Sequence, residues 1–96
     1  MMNIKDLHND SHAISTISLF KTVEGNVVSL QILANEKLKE HITKVPAILL
    51  CITGEAIFEN EKGDNFVLTN GDYVNIEPLV KHWVNAKSTC NFILIK

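Results

Sequence analysis

The chain has no apolar run approaching the roughly 20 residues that a membrane-crossing helix needs, and residues 1–10 are polar, without the basic-then-apolar order of a secretion leader. We therefore expect a cytoplasmic protein with no membrane partner. Its 9 basic and 11 acidic residues are scattered, for a formal charge of -2, so there is neither a basic stripe to follow a phosphate backbone nor a polyacidic tail. Nucleic acid is not an expected partner. Cysteine occurs only at Cys51 and Cys90, each inside an apolar, strand-like stretch where it serves as a small hydrophobe; with no export signal, a disulfide between them is the less favoured reading. Helical periodicity over ten residues is missing as well, and the four glycines all fall at expected turns.

What remains is a succession of short β-branched and apolar blocks. Residues 14–22 and 27–33, separated by Glu24-Gly25-Asn26, read as a hairpin. Residues 34–40 are polar apart from Leu38 and read as a loop leading into His41. A continuous apolar run over 45–53 is strand-length, and Gly54 turns it into a strand over 56–59. Turns at Glu61-Lys62-Gly63-Asp64 and Asn70-Gly71-Asp72 flank a strand at 66–68, and 73–77, 82–86 and 92–95 complete about nine or ten short strands. Residues 1–13 form an N-terminal arm, or a weak helical turn, ahead of a single β-domain over 14–96. His8 and His12 stand four apart, as metal ligands on a helix face do, but lack an acidic or cysteine partner and read as solvated histidines on a mobile terminus.

Two motifs carry a family resemblance. Gly71-Asp72, Pro78, His82 and Asn85 follow the second signature motif of the cupin superfamily, and His41-Ile42-Thr43, Ala47 and Gly54 occupy the places of the first, in which Thr43 and Ala47 stand where the family often has a second His and a Glu. Leu38-Lys39-Glu40-His41-Ile42-Thr43 with Gly54-Glu55 is similar to the pattern of small single-domain cupins. The resemblance implies an all-β, cupin-like double-stranded β-helix or jelly-roll barrel, a pocket inside it, and common dimerisation. In metal-binding cupins three histidines and a glutamate hold a divalent metal; carried over residue by residue, this leaves His41 and His82 as ligands for iron, manganese, nickel or zinc.

Strand parity directs Ala47, Leu49 and Cys51 inward and turns Glu40 and Glu77 outward, so no carboxylate joins the two histidines. A cation held by two neutral imidazoles in an apolar cavity keeps most of its charge, which is costly. The expected pocket residues are His41, Thr43, Leu49, Cys51 and His82. The leading expectation is small-molecule binding without assigned catalysis. The alternative is a metal-dependent dioxygenase or isomerase using His41 and His82, and a metal-free acid/base role for the same pair stays open. Cys51 is a possible soft ligand only as thiolate. Tyr73 and Trp83 are read as outward packing residues. Strands 14–21 and 91–95 carry more hydrophobics than one face needs, so a homodimer is expected.

Overall fold

The computed structural model describes residues 2–96 and contains nine strands: β1 (Ile14–Lys21), β2 (Asn26–Ile32), β3 (Lys37–His41), β4 (Ala47–Thr53), β5 (Ala56–Asn60), β6 (Asn65–Leu68), β7 (Tyr73–Ile76), β8 (His82–Ala86) and β9 (Cys90–Ile95). They form a five-stranded sheet in the order β1-β2-β9-β4-β7 and a four-stranded sheet in the order β3-β8-β5-β6, with every pairing antiparallel. This is the expected all-β jelly roll. The sheets face each other without closing into a barrel, because β1, β7, β3 and β6 keep free edges. No helix among the described residues is long and apolar enough to cross a membrane.

Alternation explains which residues fill the core. Ala47, Leu49 and Cys51 of β4 are buried while Ile48 and Leu50 are half-buried, and β8 repeats the pattern with His82, Val84 and Ala86 inside. Phe58 and Phe92, with Ile32, Leu49 and Val84, are the largest fully buried side chains. Burying each such residue contributes about 1.5–3 kcal/mol relative to exposure. Both cysteines are free thiols within this core.

The turns follow local chemistry. Between β1 and β2 the Thr22 hydroxyl accepts from the backbone N–H of Glu24 and of Gly25. Before β7, Gly71 adopts φ 91° and the Asp72 carboxylate accepts from the Thr69 N–H at 2.8 Å and its hydroxyl at 3.1 Å.

Two expectations are corrected. Residues 34–40 are not all loop: Lys37–His41 is an edge strand paired to β8. Lys37, Lys39 and Glu40 are exposed and Leu38 alone packs inward, so the segment carries too few apolar residues to show alternation. His8 is not solvated. After a 3₁₀ turn at Ile4–Asp6, whose Asn3 side chain accepts from the Lys5 N–H, the arm lays His8 on the outer face of β2. There its Nδ1 lies 2.8 Å from Ser15 Oγ and its Nε2 2.8 Å from the fully buried Ser29 Oγ. One ring nitrogen donates to a serine while the other accepts from its partner serine. Burial holds the His8 pKa below the ordinary histidine range. His12 is exposed, as expected.

Candidate functional site

A cavity of about 410 Å³ opens between the sheets, in the size range of small-molecule sites. Its apolar wall comes from Leu30 of β2, Leu49 of β4, Ile76 of β7, Val84 of β8 and Leu94 of β9. Its polar side comes from His41, Thr43, Lys44, His82 and Lys96. No aspartate or glutamate lines it.

A register irregularity in β3 places the first histidine. Leu38 pairs with Val84 whereas His41 pairs with His82, so β3 carries one extra residue between these pairs. Three residues apart on a regular strand, Leu38 and His41 would face opposite ways; the bulge lets both line the cavity. The imidazoles of His41 and His82 consequently lie with ring centroids 4.1 Å apart, tilted by 58°. His82 also stacks with Phe58, ring centroids 5.7 Å apart and planes 20° from parallel.

Backbone contacts fix the loops that carry these side chains. The Leu79 N–H donates to Thr43 O at 2.8 Å, tying the loop after His41 to the loop before His82. Leu79 adopts φ 66°, a left-handed conformation that costs a side-chain-bearing residue about 1–2 kcal/mol. Lys81 N–H donates to the Glu61 carboxylate, and Glu61 N–H donates to Lys81 O, which anchors the entry to β8.

Each imidazole has one nitrogen committed. His41 Nδ1 lies 2.9 Å from Lys39 O and His82 Nδ1 lies 3.3 Å from Val80 O. A carbonyl oxygen only accepts, so Nδ1 donates in both contacts, and neither Nε2 has a hydrogen-bond partner among the described residues. His82 is only 2% exposed. Burial lowers its pKa most, the neighbouring His41 lowers it further, and the Val80 carbonyl partly opposes both. Thr43 is 9% exposed, and its hydroxyl is buried with no hydrogen-bond partner.

Of the five residues expected in the pocket, His41, Thr43, Leu49 and His82 line the cavity and Cys51 does not. Cys51 does point inward, but it sits further along β4, its sulfur 3.7 Å from Thr53 O and from Gly54 O. Burial, with Cys90 and Asp72 nearby, pushes its thiol up to about 11, so no thiolate is offered. Glu40 is exposed, and Glu77 is exposed and ion-paired with Lys62 at 2.7 Å. Tyr73 is exposed, and Trp83 is half-buried with the Lys37 ammonium 6.0 Å from its ring.

The donor set does not fit a resident divalent metal. Among the described residues no three His, Cys, Asp or Glu side chains come together to hold one, and protein sites ordinarily supply at least three ligands. Sequence reasoning missed Lys44 and Lys96. Lys44 follows Thr43 directly in the motif loop, so it was within reach; Lys96 joins only through the pairing of β9 with β2 and β4.

No protein-family model and no curated protein matches the sequence. Solved structures do match the fold. A cupin superfamily protein of Desulfitobacterium hafniense DCB-2 superposes with a TM-score of 0.86 at 13% identity, covering 97% of this chain and 84% of that one. Ectoine synthase of P. lautus gives 0.79 at 17% identity over 99% of this chain and 75% of its own. KdgF of Halomonas sp. gives 0.79 at 16% identity over 92% and 83%. The chain therefore has the cupin fold. At these identities the likeness carries the architecture and no reaction, since a fold hosts many chemistries.

Proposed function

We propose that this cupin-fold chain binds a small organic molecule in the cavity between its sheets, and that His41 and His82 orient the ligand and do not hold a metal. One observation carries the reading: two imidazoles with ring centroids 4.1 Å apart, each with Nδ1 engaged and Nε2 free of a partner among the described residues, stand on the polar side of a cavity of about 410 Å³ whose other side is apolar. Small-molecule sites combine such apolar walls with a few fixed polar groups, the walls supplying desolvation and the polar groups orientation. The bulge in β3 and the tie between Thr43 and Leu79 hold these groups before any ligand arrives, which reduces the ordering cost of binding.

The test is a ligand-observed NMR screen of neutral and charged fragments, run on the wild type and on Leu38→Trp, which places a larger side chain at the cavity wall. Binders that lose saturation transfer in the variant, with its circular dichroism unchanged, support the reading. A screen in which no fragment distinguishes the two proteins refutes it.

The proximity of the two imidazole rings also favours a second reading, a metal-dependent cupin enzyme of dioxygenase or isomerase type with His41 and His82 as ligands. Metal analysis of tag-free protein decides between the two. Stoichiometric iron, manganese, nickel or zinc that is lost in His82→Ala would replace the first reading with the second.

A further inference from the structure

The arm ahead of β1 is held to the sheet by a single side chain. Ile4 and Leu7 are half-buried and every other position from 2 to 12 is exposed, yet His8 is only 9% exposed. The hydrogen bonds of the 3₁₀ turn and of Asn9 with Ser11 are internal to the arm, and the next tie to the sheet is at its root, where Leu33 N–H donates to Ala13 O at 3.0 Å. His8 spans two strands, with Ser15 Oγ of β1 and Ser29 Oγ of β2 each 2.8 Å from a ring nitrogen. Neither hydroxyl has a second hydrogen-bond partner among the described residues.

This bridge suits one protonation state. A neutral imidazole donates at one nitrogen and accepts at the other, which matches one serine oxygen and one serine O–H. An imidazolium donates at both, so the serine that had donated must turn its proton away, and Ser29 is fully buried. The added charge also has nothing to balance it. β2 and β9 carry no charged residue, and β9 sets Ile93 opposite Ser29. β1 carries only Lys21, at its far end, and Lys96 follows β9 beside Asn26 at that same end. Within the arm Lys5, Asp6, Asp10 and His12 are all exposed, and none bonds to the ring. Burial accordingly holds the His8 pKa down, with no neighbouring charge among the causes. Away from the sheet, water solvates the imidazolium and both hydroxyls.

We propose that residues 2–12 are a pH-released strap, docked on the outer face of β2 through His8 at neutral pH and freed at mildly acidic pH while the β-domain stays folded. A histidine in the released arm titrates at about pH 6.5, so the docking constant falls by up to about thirtyfold between pH 7.5 and 5.0. Release uncovers Ser29, which sits between Ile17 and Ile93 in a row that Leu50 and Tyr73 continue across the sheet. The pH thus sets how much of this otherwise apolar row the arm covers.

Nitrogen-15 NMR of the full chain from pH 7.5 to 5.0 tests the inference, with heteronuclear NOEs reporting the order of the arm and the His8 ring nitrogens reporting protonation. The expected result is an arm ordered at pH 7.5 whose NOEs fall toward free-chain values with the midpoint of the His8 ring, while amide shifts near Ser15 and Ser29 move in step and those of β4 and β5 keep their folded dispersion. His8→Gln, whose amide can donate to one serine and accept from the other without titrating, should keep the arm docked at every pH. An arm already free at pH 7.5, one equally ordered at pH 5.0 with His8 protonated, or a pH-dependent release that persists in His8→Gln overturns the proposal. A His8→Gln arm free at every pH leaves the decision to the wild type, where release at the His8 midpoint supports the strap and release at any other midpoint overturns it.

Discussion

Replacing Gly54 by alanine tests whether the join between β4 and β5 is as tight as its geometry requires. Gly54 adopts φ 98°, and a Cβ built on it would lie 2.6 Å from Thr89 O, 2.7 Å from Cys90 Sγ and 2.9 Å from Cys90 Cα. Two of these atoms are backbone, held where the chain enters β9, and the third belongs to a side chain with no exposure that has nowhere to turn. The left-handed φ costs an L-residue about 1–2 kcal/mol and the overpacking a further 1–3 or so, about 2–5 kcal/mol in all. Gly63 and Gly71 provide the control. Their φ values are 90° and 91°, and nothing lies within 4 Å of an added Cβ, so alanine at either should cost only the conformational part. Urea unfolding followed by fluorescence of Trp83, the single tryptophan, under reducing conditions gives the three midpoints. Since a domain of this size is stabilised by roughly 5–15 kcal/mol, Gly54→Ala should lower its midpoint clearly below both controls at unchanged slope. Equal midpoints for all three would show that the Thr89–Cys90 backbone moves aside, and the steric reasoning would be wrong.

Further outcomes follow from other parts of the molecule. His8→Ala should cost about 1–3 kcal/mol by leaving the buried Ser29 hydroxyl unpaired, and Ser29→Ala in that background should recover part of the loss in the same assay. His8 and His82 both have folded pKa values held below the unfolded value by burial, so the unfolded chain binds protons first; stability is fully present above about pH 6.5 and falls as pH drops through the folded values. Urea midpoints measured from pH 7.5 to 5.0 should therefore decline, and more gently in a His8→Gln/His82→Gln double variant. We also propose a homodimer through the outer face of the five-stranded sheet, where Ile17, Ile48, Leu50 and Ile93 are only half-buried and Ile95 and Tyr73 are exposed. Light scattering should return twice the 10.7 kDa chain mass at micromolar concentration, and half that value for Tyr73→Glu/Ile95→Asp.

How far the sequence spoke depended on whether information lay along the chain or across it. Alternation and turn residues located β4, β5, β7 and β8 within a residue or two, because each has its own apolar face and a Gly or Pro boundary. The edge strand β3 was invisible, since one inward leucine among charged residues carries no period. Its bulge was invisible too, although it sets the orientation of His41. Parity correctly placed Cys51 inward, but parity gives a face and not a depth, and the cavity ends before reaching it. The burial of His8 depends on serines 7 and 21 residues away, which no local pattern announces.

The site's chemistry turns on electrostatic balance within a largely apolar enclosure. Two imidazoles, each with Nδ1 donating to a carbonyl, leave Nε2 without a hydrogen-bond partner among the described residues. Had a carboxylate stood beside them, the protein itself would supply the negative charge that lets a divalent cation reside there. With Thr43 on the lining and Glu40 and Glu77 facing solvent, it does not. In a medium of low polarity a charge without its counter-charge is expensive, so two imidazoles alone make a weak cation site.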